Sequence, residues 1–263
     1  MDLLCGQGEI SVVAYASAVR CEELHDAGGL APSAILFDFF GTLVTYEPDR
    51  SRLAYPHSHA FAERLGYRPD HDAFVADWNG ASCQLETNTA DSHVEFSMRD
   101  AADAFCNRVG LVVDGSASVE LGSVFLREWQ QHVLPVPGAS EMLCRLASDR
   151  RVGVVSNTHD PAMVPSMLQT MGVDHLMSVM VLSIDHGYRK PHPTIYGRAV
   201  ELLEVEPSDV LFVGDSYPAD YEAPIRQGMR ALLIGEHEGR DVPDKHRLVS
   251  VLDVESALTT LTA

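Results

Sequence analysis

The sequence predicts an α/β protein whose core is a parallel sheet with helices on both faces, interrupted by one inserted helical segment. Three observations carry this reading. Short continuous apolar runs recur along the chain, each closing on polar or glycine positions, as strands buried on both faces do. Helix-length segments separate them in the later part of the chain. One long stretch has helical apolar spacing throughout and no comparable strand run.

Residues 1–31 read as an extension. Within them "ISVVAYASAV" (Ile10 to Val19) has the apolar character of a leader peptide. It follows Asp2 and Glu9 with no Lys or Arg before it, the wrong charge for such a segment, so a cytoplasmic protein is expected. After Pro32, "AILF" is the first strand, delivering Asp38 into a glycine-marked turn. Residues 46–134 form the inserted segment, with helical spacing in "FAERLGY", "FVADW", "DAADAFCNRVG" and "SVFLREWQQHV" and with Gly66, Pro69 and Gly110 at its joints. "PVPG" (Pro135 to Gly138) returns the chain to the core. There "VGVVS", "VMVLS", "VLFVGD" and "ALLIG" are the further strands, and 162–171 and 194–203 are helices between them. The core is therefore expected over 32–45 and 135–263.

Composition narrows the function. The chain has 263 residues, 46% apolar and 22% charged, enough to bury a core. Acids outnumber bases 38 to 19, and a net charge of −19 argues against nucleic acid as a partner. An anionic substrate would need a local cationic pocket or a metal. No apolar run approaches membrane-spanning length, so no membrane partner is expected. The five cysteines (Cys5, Cys21, Cys83, Cys106, Cys144) share no CxxC spacing and read as reduced, packed thiols.

In open parallel sheets ligands sit beyond the carboxyl ends of the strands, and polar residues gather there. Asp38 could serve as a nucleophile, a metal ligand or a helix cap, and Thr42 is similarly open. Ser156 and Asn157 could grip an oxyanion or cap the next helix. Lys190 is one of only two lysines, with Lys245, and sits in "GYRKPHP", where two prolines fix the backbone. A compact cation suits a phosphate or carboxylate. "GDSYPAD" places Asp215 and Asp220 on one loop. With Asp38 they would repel unless a cation joined them, and hard oxygen ligands suit Mg²⁺.

"FDFFGTL", "VVSNT", "YRKPHP" and "VGDSYPAD" resemble, in order and spacing, the four motifs of haloacid dehalogenase-like hydrolases, over about Pro32 to Gly235. The wide gap after the first motif resembles the subfamily with a helical cap inserted there. The resemblance implies a Rossmann-like core with an α-helical cap domain, and a Mg²⁺-dependent phosphatase acting on a small phosphorylated compound. It implies Asp38 as the nucleophile forming an aspartyl-phosphate, with Ser156 and Lys190 as catalytic phosphate-gripping groups. Asn157 and Thr42 would join them at the phosphate. Asp38, the backbone carbonyl of Phe40 and Asp215 would hold the metal, with Asp220 ligating through water or orienting Lys190.

Phe40 departs from the pattern. Phosphatases of the family carry Asp there, to protonate the leaving oxygen and activate water. Tyr46, Glu47, His57 and His59 lie just past the motif, and of these His57 is the favoured substitute. A metal-independent 2-haloacid dehalogenase is the alternative that Phe40 invites, since halide departs without a proton. Against it, Tyr217 stands where those enzymes carry Asn, and the same motif keeps an acid suited to a metal. A non-catalytic binding protein of the same fold is the third reading, disfavoured by retention of Asp38, Lys190, Asp215 and Asp220 together.

Overall fold

The computed structural model describes residues 31–261 apart from 48, 50 and 51. Nearly all of the expected 1–31 extension lies outside the described residues. The chain runs β1 (Ala34–Phe37), β2 (Val44–Thr45), then α1 (Pro56–Arg64), α2 (His71–Asn88), α3 (Met98–Arg108) and α4 (Gly115–Gln130). It continues through β3 (Leu134–Pro135), α5 (Ala139–Leu146), β4 (Arg151–Ser156), α6 (Met163–Thr170), β5 (Met177–Leu182), α7 (Ser183–His186) and α8 (Pro193–Leu203). β6 (Val210–Gly214), α9 (Ala223–Arg226), β7 (Arg230–Ile234), β8 (Arg247–Leu248) and α10 (Val254–Leu261) complete it.

Six strands form one parallel sheet in the order β5-β4-β1-β6-β7-β8. β1 lies at its middle, paired with β4 on one side and β6 on the other. The strand order reverses there, so the carboxyl ends of β1, β4 and β6 frame the crevice where such sheets bind ligands. Successive residues point to opposite faces. Ile35, Phe37, Val152, Val154, Leu211 and Val213 pack with Met142 and Leu143 of α5 and Val164 and Leu168 of α6. Ala34, Leu36, Val155, Val210 and Phe212 pack on the other face with Ile195, Tyr196, Ala199 and Leu203 of α8. Continuous apolar runs were required because both faces are covered.

Helices α1–α4 lie in sequence between β2 and β3, which pair antiparallel as Val44↔Pro135 and Thr45↔Leu134. Local chemistry starts three of these helices. Asp70 caps α2, Ser97 and Asp100 form a reciprocal capping box on α3, and Asp114 accepts from two amides of α4. α1 lacks a capping side chain of its own. The buried Glu128 of α4 instead accepts from the His57 and Ser58 amides at 2.8 Å and from the Ser58 hydroxyl. The interior is aromatic, with Trp78 stacked on Phe125 at 4.1 Å and Tyr55 on the other side at 4.3 Å.

Cys106 is free and buried and Cys144 free and exposed. Cys83 is disulfide-bonded, which corrects the expectation that all five thiols are reduced and packed. Among the described residues no helix is long and apolar enough to cross a membrane.

Candidate active site

The end of β1 is built by its turn. Asp38 donates its amide to the Val213 carbonyl of β6 at 2.9 Å, so the strand end is registered against its neighbour. The amides of Thr42, Leu43 and Val44 then converge on the Phe39 carbonyl, leaving the Phe40 carbonyl out of the turn's hydrogen bonding. Gly41 has φ +86°, a conformation L side chains rarely adopt. A Cβ there would lie 2.1 Å from Asp215 Oδ2. Thr42 Oγ1 donates to Asp38 Oδ2 at 3.3 Å.

Lys190 reaches this point from the loop between α7 and α8. Its Nζ lies 2.7 Å from Asp38 Oδ1 and 2.7 Å from Asp220 Oδ1, and 5.2 Å from the centre of the Phe212 ring. All three groups are buried, with Asp38, Lys190 and Asp220 only 4%, 2% and 1% exposed. Burial opposes the ammonium charge, yet Asp220 and Asp38 together hold its pKa well above the ordinary lysine value. Asn157 at the end of β4 fixes the backbone beneath it. Its Oδ1 accepts from the Lys190 amide at 2.7 Å and its Nδ2 donates to the Lys190 carbonyl at 3.0 Å. Asn157, expected at the phosphate, thus stands directly behind Lys190 with its side-chain amide on the Lys190 backbone. Ser156 is fully buried, its hydroxyl donating to the Asn157 carbonyl at 3.3 Å.

Asp220 sits in a single π-helical turn (Tyr217–Glu222) after β6, and its Oδ2 accepts from the Ser216 amide at 2.9 Å. Carboxylate oxygens of Asp38, Asp215 and Asp220 all lie within 4.8 Å of one another. Among the described residues one lysine faces these three carboxylates. Burial, then Asp38 and Asp220, push the Asp215 pKa up to about 8. Burial and Asp38 also raise Asp220, to about 6, against the pull of Lys190. Three crowded oxygen donors short of positive charge are a donor set that a hard divalent cation fits.

The Phe40 ring is 3% exposed and packs on Phe39 at 5.1 Å, Trp129 of α4 at 5.6 Å and Tyr46 at 6.3 Å. It joins the sheet to the helical segment. Tyr46 is part of the same aromatic group, and Glu47 accepts from the Asp49 amide. His57 is exposed at the start of α1. The His59 ring lies 3.0 Å from the Pro69 carbonyl, among Tyr67, His71 and Phe74. Among the described residues, Glu47, His57 and His59 are not among the hydrogen-bond partners of Asp38, Lys190 or Asp220.

A group unseen at the sequence level adjoins the site. Glu95, between α2 and α3, is buried against His159 and Ser183 of the core. Its only sequence signal is a lone acid flanked by Val94 and Phe96.

A family model described as haloacid dehalogenase-like hydrolase matches residues 32–228. Haloacid dehalogenase-like hydrolase domain-containing protein 3 of Danio rerio is 33% identical over 110 residues, 40% of this chain and 45% of that protein. Pyrimidine 5'-nucleotidase YjjG of Escherichia coli strain K12 is 25% identical over 126 residues, 48% of this chain and 55% of that one. The chain thus spans about half the length of the curated relatives it matches. Among solved structures, a 2-haloacid dehalogenase from Pseudomonas syringae pv. Tomato DC3000 superposes with a TM-score of 0.65 at 19% identity. That match covers 87% of this chain and 99% of the other, a likeness of fold alone.

Proposed function

Because the chain belongs to the haloacid dehalogenase-like hydrolases, we propose that it is a Mg²⁺-dependent phosphatase acting on a small phosphorylated compound through Asp38. One observation carries the choice. Among the described residues Asp38, Asp215 and Asp220 converge within 4.8 Å with Lys190 as the cation bonded to them, an arrangement that a divalent cation completes. Asp38, Asp215 and the Phe40 carbonyl would hold the ion, with Asp220 ligating through water or orienting Lys190. When bound, Mg²⁺ supplies charge neutralisation of the phosphoryl oxygens.

The residues then divide the work. Lys190 and Thr42 hold Asp38 by its two oxygens, keeping it aimed. An Asp38 oxygen attacks phosphorus as the ester bond breaks, giving an aspartyl-phosphate and a leaving oxygen. Lys190 balances charge on the phosphoryl group throughout, and Ser156 donates to a second oxygen. Water then attacks phosphorus, releasing phosphate and restoring the Asp38 carboxylate. Phe40 can neither protonate the leaving oxygen nor activate that water, so the first step favours leaving groups that depart as stable anions. We read residues 46–134 as a cap. In this reading the segment lifts to admit substrate to Asp38, Ser156 and Lys190, all of which are buried.

The apolar side chain of Phe40 favours one second reading, dehalogenation of a 2-haloacid without metal. Turnover of a phosphate panel and of 2-haloacids, in EDTA and in a divalent metal series, separates the two. The phosphatase reading predicts phosphate release restored by Mg²⁺. Haloacid turnover undiminished in EDTA would overturn it.

A further inference from the structure

Between α2 and α3 the helical segment sends a strap, residues 93–98, across both core loops that carry the candidate phosphate grip. On the loop that bears Lys190, the Glu95 amide donates to the Gly187 carbonyl at 3.0 Å and the Arg189 amide to the His93 carbonyl at 2.8 Å. Arg189 Nη1 adds a bond to the Val94 carbonyl at 3.0 Å. On the loop that follows Ser156, the Met98 amide donates to the His159 carbonyl at 3.0 Å, and Phe96 stacks on the His159 ring at 4.3 Å.

Glu95 joins these two sets of contacts. Its side chain is 1% exposed, and both oxygens are engaged. Oε1 lies 3.0 Å from His159 Nδ1 and accepts from the Phe96 amide at 2.9 Å. Oε2 accepts from the Ser183 hydroxyl. That hydroxyl has one hydrogen. While Glu95 takes it, a lone pair of Ser183 Oγ receives the Thr158 amide at 2.8 Å, two residues past Ser156. The Ser183 hydroxyl has a second acceptor within reach, the Thr158 carbonyl at 3.2 Å, so Glu95 decides which way it points.

Burial alone would raise the Glu95 pKa. The His159 and Ser183 hydrogen bonds and the Phe96 amide reverse this and hold it below the usual glutamate value. Burying a carboxylate is a poor way to fasten a strap, since apolar packing of similar volume often stabilises more. The side-chain partners of Glu95 outside its own strap both belong to the core, His159 on the loop after β4 and Ser183 at the start of α7. This is the pattern of a residue that fixes other groups' directions.

We propose that Glu95 is a positioning residue, tying the helical segment to the loops of Ser156 and Lys190 so that the phosphate grip is assembled only when the segment is closed. The kinetic consequence rests on the phosphatase reading; the coupling of strap to loops does not.

Glu95→Gln keeps the size and removes the charge. Hydrogen exchange should quicken together in peptides spanning 156–160 and 183–190, and stay unchanged in β6 and α2. The kcat for an aryl phosphate should fall about 10-fold or more. In a Ser183→Ala background the same substitution should lower kcat by clearly less than it does in wild type, because the Ser183 branch is already lost and the His159 branch alone remains. Ser183→Ala alone, which keeps every charge, should loosen the same two loops and supplies the exchange comparison if Glu95→Gln does not fold. Faster exchange confined to residues 93–98, or effects of the two substitutions that multiply, would overturn the proposal. Coupled loosening in Glu95→Gln, beside a wild type that hydrolyses no phosphate, would overturn the phosphatase reading and leave the positioning role standing.

Discussion

Gly41 and Asp215 are packed so closely that a Cβ on Gly41 would fall 2.1 Å from Asp215 Oδ2. The turn after β1 and the loop after β6 can therefore present their carboxylates together only if position 41 has no side chain. Gly41→Ala is expected to destabilise by about 1–2 kcal/mol through its φ of +86° and to displace Asp215. Gly110→Ala is the control, with φ +72° and open space around it. Thermal unfolding with and without Mg²⁺ checks this: both variants lose stability, and only Gly41→Ala loses the upward shift that Mg²⁺ gives wild type.

Phe40 bears on leaving-group preference. Wild type should hydrolyse aryl and acyl phosphates much faster than alkyl phosphates, a dependence read from rate against leaving-group pKa. Restoring the family's carboxylate by Phe40→Asp should not lift alkyl turnover. The ring fills a space between Phe39, Tyr46 and Trp129, and emptying such a space costs about 3–5 kcal/mol before any penalty for the buried charge. Calorimetry should show a lowered Tm, while Phe40→Leu keeps most of the stability.

The acidic cluster fixes the sign of a pH dependence. With Asp215 pushed up to about 8 and Asp220 to about 6, the metal-free folded protein holds protons that the unfolded chain, with carboxylates near their ordinary values, releases. Stability in EDTA should therefore fall as pH rises from about 4 towards 8. Mg²⁺ displaces those protons, so its stabilising shift should grow over the same window and level off above about pH 8. Unfolding curves at saturating Mg²⁺ and in EDTA across that range give both trends; a shift that shrinks with rising pH would contradict them.

Lys190→Met should raise KM and lower kcat together, the latter by about 100-fold or more, because the ammonium balances charge in ground and transition states alike. It also strands Asp38 and Asp220 in a buried place, a loss of about 3–5 kcal/mol. Steady-state kinetics and unfolding of Lys190→Met beside Lys245→Met, an exposed lysine, make the comparison. Equal effects at the two would contradict the assignment.

Five of the sheet strands were legible because each is buried on both faces and so reads as an unbroken apolar run. β8, only Arg247–Leu248 at the sheet edge, and the β2–β3 pair are two residues long and leave no such trace. The candidate site was legible where chemistry is written in residue type: Asp38, Lys190, Asp215 and Asp220 stand out as acids or a rare lysine at strand ends. What escaped were long-range partnerships. Asn157 presents an amide that suits an oxyanion equally well, and only the fold brings the Lys190 backbone to it, 33 positions away. Glu95 lies 64 positions from His159 and 88 from Ser183, so no local spacing could mark it. Phe40 was seen as a lost carboxylate, while its packing on Trp129 depends on a helix 75 or more residues further on.

The central claim is phosphoryl transfer to Asp38, and trapping the intermediate tests it most directly. Intact-protein mass spectrometry after rapid acid quench, with an aryl phosphate and Mg²⁺, should show one phosphoryl adduct on wild type that peptide mapping places on Asp38. Asp38→Asn keeps the shape of the strand end but cannot attack phosphorus; it should fold, show no adduct and release no phosphate. An adduct that persists in Asp38→Asn, or wild-type phosphate release from that variant, would contradict the account.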